Sequence, residues 1–179
     1  MDRRQLLTLA LAGLPHAMTA SAQPRETPPG GIAPAGLAAA DGDLVYVGRD
    51  PVRIKISPAS QGRFAMITQE VSPGTVIPVH AHDREDEIIF IQSGTGEATL
   101  GDRTVPLAAG STLYVPQGTW HGGRNTGREP LMWIAIYSPS GFEGYFREIG
   151  RATPDAPPRS RTPAERVALD ARFAIRYKG

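Results

Sequence analysis

Apolar and polar positions alternate in short runs along the middle of the chain, with Gly and Pro between the runs. Residues 44–47, 52–56, 64–71, 87–92, 97–100, 103–106, 112–115 and 131–137 each read as a strand bounded by turn residues. Short strands at such regular intervals predict an all-β sandwich or barrel. Gly94-Thr95-Gly96 and Leu100-Gly101-Asp102-Arg103 carry hairpin chemistry, because glycine supplies the positive φ that tight turns need.

After Tyr137 the pattern changes. Ser140-Gly141-Phe142-Glu143 and Thr162-Pro163-Ala164-Glu165 both have capping-box spacing, which predicts two helices of about two to three turns. Residues 154–163 form a proline-rich connector between them, and Val167, Leu169, Phe173 and Ile175 offer an apolar face to pack on the barrel. The expected organisation is a barrel over 44–138 and a helical extension over 139–179, preceded by a flexible Pro/Gly/Ala-rich lead-in over 23–43.

Residues 1–22 read as an export leader: Asp2-Arg3-Arg4-Gln5, an apolar run over 6–14, then Ala20-Ser21-Ala22 as a small-x-small cleavage site. The apolar run is too short to span a bilayer, so the mature chain is expected in the periplasm or outside the cell, with no stable membrane span. Arg3-Arg4 followed by Gln5-Leu6-Leu7 resembles a twin-arginine signal, while paired arginines in a general secretory leader are the alternative. His16 falls inside this segment and has no role in a mature site.

The chain has 179 residues and no internal repeat, which suits one barrel. With no cysteine, it has no disulfide, thiolate ligand or cysteine nucleophile. Cleavage after Ala22 removes Asp2, Arg3 and Arg4 and leaves 17 basic and 17 acidic residues. That balance argues against nucleic acid or an anionic membrane as the main partner. Neither a phosphate-binding glycine loop nor a Gly-x-Ser-x-Gly elbow is present.

Three of the four histidines fall in two glycine-bounded blocks. The first runs Gly74, five residues, His80, one residue, His82, four residues, Glu87, six residues, Gly94. The second runs Gly110, five residues, Pro116, one residue, Gly118, two residues, His121, three residues, Asn125. On a strand, residues two apart share a face, so His80 and His82 can present two imidazoles to one ion. Imidazole suits several first-row metals, and a carboxylate adds partly neutralising charge. Three His and one Glu around an octahedral ion would leave two positions open for water, dioxygen or substrate.

Both blocks match the two cupin motifs at every defining position, so the sequence resembles a small single-domain cupin. The resemblance implies a double-stranded β-helix, or jelly-roll barrel, with His80, His82, Glu87 and His121 converging on one divalent transition metal inside it. Fe, Mn or Ni is the expected ion, and Zn or Cu also fits the ligand types. Ser138-Pro139-Ser140-Gly141-Phe142-Glu143 with Phe146 resembles the C-terminal extension of small quercetin dioxygenase-like cupins. This implies an oxidoreductase, dioxygenase-like, acting on a small and aromatic organic substrate, and by analogy a homodimer. Cupins carry many activities, so a metal-dependent isomerase or lyase on a sugar-like compound, and a non-catalytic binding module, stay open.

Glu87 and Glu70 are the candidate catalytic carboxylates. Asp83, Glu85, Asp86 and Glu87 form an acidic run in which Glu87 has the motif spacing and Asp86 is the fallback ligand. Glu70 shares a strand face with Phe64, Met66 and Thr68, and is either a buried general base or a rim charge. Tyr114, Trp133 and Tyr137 are the candidate substrate-binding residues, with Phe142 and Tyr145 as a lid; aromatic core is the alternative for each. Trp120 is expected to point away from His121, and Arg124 and Asn125 to fix the turn after it.

Overall fold

The computed structural model describes residues 35–57 and 62–179; the leader, His16 and most of the lead-in lie outside the described residues. Eleven strands and two helices follow in the order β1 (Asp43–Val47), β2 (Asp50–Ile56), β3 (Ala65–Val71), β4 (Val76–His82), β5 (Asp86–Ser93), β6 (Thr95–Leu100), β7 (Arg103–Ala108), β8 (Thr112–Val115), β9 (His121–Asn125), β10 (Leu131–Ser138), α1 (Glu143–Ile149), α2 (Pro163–Arg172) and β11 (Ile175–Tyr177). They form two antiparallel sheets, one ordered β1-β2-β3-β10-β5-β8 and the other β11-β4-β9-β6-β7. The architecture is the expected jelly roll.

Alternation sets the inner face. In β3, Ala65, Ile67, Gln69 and Val71 are buried while Met66, Thr68 and Glu70 are not, and in β10 Leu131, Trp133, Ala135 and Tyr137 are buried. These strands register directly, Gln69 against Trp133 and Ala65 against Tyr137. The core has two parts. One, around Val71, Ile91, Leu131 and Trp133, fills the barrel, and the other packs Phe142, Tyr145, Phe146, Leu169 and Phe173 of the extension against Val52, Ile54 and Tyr137.

Several local expectations are corrected. The stretch at Gly94 is a corner and not a hairpin: β5 pairs with β8 and β10, whereas β6 pairs with β7 and β9 in the other sheet. Gly94 has φ +86, and a Cβ there would sit 2.6 Å from the Pro130 carbonyl oxygen. The Gly101-Asp102 turn does close a hairpin, with Leu100 opposite Arg103.

Ser140 does not cap α1. Phe142 is the N-cap and no side chain caps it, while Glu143 accepts from the Gly141 N–H and from Ser57 Oγ. The α2 capping box is complete, Thr162 and Glu165 serving each other's N–H groups. Val167 is 69% exposed and takes no part in the apolar face, whereas Leu169, Phe173 and Ile175 are buried. Ile175 lies on a strand, because the extension returns to the barrel as β11, pairing Tyr177 with His80 and Ile175 with His82.

A candidate metal centre in the barrel

Three strands meet at the cluster. β4 contributes His80 and His82 from one strand, β9 places His121 directly across from His80, and β5 in the opposite sheet supplies Glu87. Pro78 lacks an N–H, and the β4–β9 register shifts between Ile77 and His80. Gly122 lets the strands close, since a Cβ there would meet the Ile77 carbonyl oxygen at 2.8 Å. One ligand atom from each of His80, His82, Glu87 and His121 lies within 4.8 Å of every other.

The geometry suits a cation. His80 Nδ1 lies 2.7 Å from the Pro78 carbonyl and His121 Nδ1 lies 2.9 Å from that of Thr119. A neutral ring donating through Nδ1 turns its Nε2 lone pair inward. His121 Nε2 is 2.8 Å from Glu87 Oε2, and His82 Nε2 is 3.5 Å from the same oxygen. His82, Glu87 and His121 are 2, 4 and 3% exposed, and His80 is the least buried of the four. Both ring nitrogens of His82, His121 Nε2 and Glu87 Oε2 are buried without a hydrogen-bond partner. Three imidazoles and one carboxylate converging on a single buried point fit a divalent transition ion.

The ionisation of these groups follows the same geometry. Burial alone would raise the Glu87 carboxyl, but the imidazoles of His121 and His82 outweigh it and hold it well below the usual carboxylate range. Burial, then the charges of His121 and His82, push His80 down to about 4, so its ring is a neutral ligand at physiological pH. Tyr137 sits across from Glu87 in register, and burial followed by the Glu87 charge raises its hydroxyl well above the ordinary tyrosine range.

The rest of the acidic run is occupied elsewhere. Asp83 pairs with Arg176, and Asp86 accepts from the Gln117 N–H and the Tyr114 hydroxyl. Asp86 is therefore not brought to the cluster. Glu85, which sequence reasoning passed over, is 4% exposed with Oε2 unpartnered. Burial pushes its carboxyl up to about 7 despite Arg84, with Glu143 and Glu87 adding to the rise.

A cavity of 310 Å³ opens beside the cluster. Trp133 and Tyr137 line it, as do Phe142 and Tyr145; Tyr114 is 57% exposed and does not, and Glu70 lies on the alternate face of β3. Phe142 packs edge-on against His82 at 4.0 Å between ring centroids. Trp120 is half-buried, with the Arg176 guanidinium 4.8 Å above its ring. Asn125 donates to the Val71 and Glu129 carbonyls and accepts from the Gly127 N–H, so it does fix the turn after His121.

The cupin domain family model matches residues 67–137, from β3 through β10. That match identifies a cupin domain over these residues, and the two-sheet jelly roll around them agrees with it. Xanthan biosynthesis protein XanB of Xanthomonas campestris pv. campestris (strain B100) is 33% identical over 78 residues, 44% of this chain. Quercetin 2,3-dioxygenase of Bacillus subtilis (strain 168) is 27% identical over 123 residues, 68% of this chain. The chain spans only 17% of the first relative's length and 36% of the second's. Among solved structures, KdgF from Halomonas sp. superposes with a TM-score of 0.57 at 19% identity, covering 63% of this chain and 99% of that one, a likeness of fold.

Proposed function

We propose that this chain is an exported, metal-dependent cupin oxidoreductase of the dioxygenase kind, acting on a small aromatic substrate. One observation carries the reading: a buried three-His, one-Glu ligand set facing an apolar cavity walled by Trp133, Tyr137 and Phe142. A divalent ion held there, with Fe, Mn or Ni as the proposed metal, supplies Lewis acidity and, if redox-active, a path to dioxygen. The chain's own residues do the rest. Tyr137 keeps its proton and donates it in a hydrogen bond to Glu87, Glu87 stays ionised as a ligand, and Phe142 and Tyr145 help keep water from the cavity.

Likeness to the Bacillus subtilis quercetin 2,3-dioxygenase over two thirds of the chain supports this reading. The rival is a metal-dependent isomerase or lyase on a sugar-like compound, and likeness to a xanthan biosynthesis protein supports its sugar-like substrate. Among the described residues neither arginine nor lysine lines the cavity, which favours the aromatic substrate. The test is turnover of flavonol and catechol-type compounds by Fe, Mn and Ni forms with and without oxygen. Oxygen-dependent turnover is expected; equal turnover under anaerobic conditions overturns the dioxygenase reading.

Export and dimerisation belong to the same proposal. The leader pattern over 1–22 supports export, which N-terminal sequencing of the secreted fraction checks. Ile88, Phe90 and Tyr114 are 42, 41 and 57% exposed on the outer face of β5 and the edge strand β8, an apolar patch that supports a homodimer. Phe90→Glu is expected to shift sedimentation from dimer to monomer.

A further inference from the structure

The cavity has a second polar pole, remote from the metal ligands. Gln69 is 6% exposed, lines the cavity, and its side chain makes no hydrogen bond among the described residues. It is the direct cross-strand neighbour of Val52 on one side and Trp133 on the other. Asp50, 3% exposed, also lines the cavity and lies two residues before Val52 on the same strand face. Ser72 donates to Asp50 Oδ1 through both its N–H and its hydroxyl, and Oδ2 accepts nothing among the described residues.

Register fixes where this pole lies. Glu87 pairs with Tyr137, and Gln69 pairs with Trp133, four residues back along β10. At a rise of about 3.3 Å per residue the two ends are roughly 13 Å apart along the sheet. Between them the wall is apolar: Ile77, Ile89, Ala98, Leu107 and Leu113. A ligand that fills the cavity covers this amide, and one that leaves it unpaired there is disfavoured, so a ligand that satisfies it is selected over one that does not.

Resting on the metal-chelate reading above, we infer that the cavity takes a two-ended ligand: a chelating oxygen pair at the His80, Glu87 and His121 end, a ring-containing apolar body, and a far hydroxyl held by Gln69. The tail is a neutral hydroxyl for chemical reasons. The Gln69 amide offers donors and an acceptor together, Asp50 adds an acceptor and the Trp133 indole a donor, which a hydroxyl can match in both senses. A carboxylate tail would face Asp50 with no lysine or arginine on the cavity wall to offset it.

The experiment is calorimetric titration of the zinc-loaded protein, which is redox-inert, with three probes. These are catechol, catechol bearing a phenyl ring, and the same phenylcatechol with a hydroxyl at the far end of the phenyl. The hydroxyl-tailed probe is expected to bind wild type about tenfold tighter than phenylcatechol. Gln69→Met, nearly isosteric but without the amide, should abolish that difference while leaving catechol affinity unchanged. Gln69→Asn, which keeps the amide but withdraws it by one methylene, should lie between, and the wild-type comparison needs no variant at all. Equal binding of the two phenyl probes to wild type, or discrimination that survives Gln69→Met, overturns the inference and leaves the metal-chelate reading standing. If no probe binds the zinc-loaded protein better than the metal-free protein, the chelate reading falls and the inference falls with it.

Discussion

His121 Nε2 lies 2.8 Å from Glu87 Oε2, while the opposite nitrogen of the same ring is 2.9 Å from the Thr119 carbonyl. Ring orientation is thus set from behind by the backbone, and the inward nitrogen and the carboxylate face each other inside the barrel. A bound cation converts this confrontation into coordination, so metal should stabilise the fold as well as equip it.

Thermal unfolding with and without chelator measures that stabilisation. Free divalent metal at a hundredfold over its Kd should add about 2.7 kcal/mol to the unfolding free energy of wild type. At the same metal concentration Glu87→Gln should gain clearly less, and Tyr114→Phe, at the exposed rim, should gain as much as wild type. Equal metal-induced shifts in wild type and Glu87→Gln would remove Glu87 from the ligand set.

Two glycines with similar φ should respond differently to alanine. Gly94 has φ +86 and its Cβ would stand 2.8 Å from Leu131 Cα, whereas Gly101 has φ +61 and open space around it. Gly101→Ala should lose only the conformational preference, about 1 kcal/mol, while Gly94→Ala should lose that and force backbone to move, on the order of 3 kcal/mol or more. Denaturant midpoints decide the order.

The two helix starts separate in the same way. Thr162 closes a complete capping box, so Thr162→Ala should cost about 1 kcal/mol. Ser140→Ala should be near neutral with respect to α1, whose N-cap Phe142 has no side-chain cap. Urea unfolding of the two variants provides the comparison.

At high pH the tyrosine pair under the extension should destabilise the fold. Burial first, then Tyr177 and Asp170, raise the Tyr145 hydroxyl above the ordinary tyrosine range, and its oxygen sits 3.0 Å from that of Tyr177. A group whose folded pKa exceeds its unfolded value contributes stability that is complete below about pH 10 and lost as pH rises through the folded value. The unfolding midpoint should therefore fall as pH rises above about 10, and less steeply in Tyr145→Phe, where roughly one titrating hydroxyl is removed. Parallel profiles would show that this hydroxyl is not linked to folding.

How much of this was legible before folding differs by element. The strands of the large sheet announce themselves by strict alternation, as in Ala65–Val71 and Leu131–Ser138, because one face of each is core. β9 does not: its sequence His121-Gly-Gly-Arg-Asn is poor in strand formers, and it is a strand because β4 and β6 flank it on both sides. β11 was read as helix continuation since three apolar residues at helical spacing look alike in either setting. Whether Glu70 or Gln69 turns inward on β3 is a one-residue choice that alternation alone leaves open when both faces carry polar residues.

By itself the sequence determined the barrel class and the identity of the four converging side chains, because motif spacing and strand period are local quantities carried by neighbouring residues. Which face of β3 turns inward, where the chain changes sheets, how Phe142 comes to lie against His82, and that the Gln69 amide lines the far end of the cavity were decided only in three dimensions. Those features depend on cross-strand register and on packing between segments far apart in the chain, and no local pattern encodes the partner that a side chain meets only after the sheets have closed.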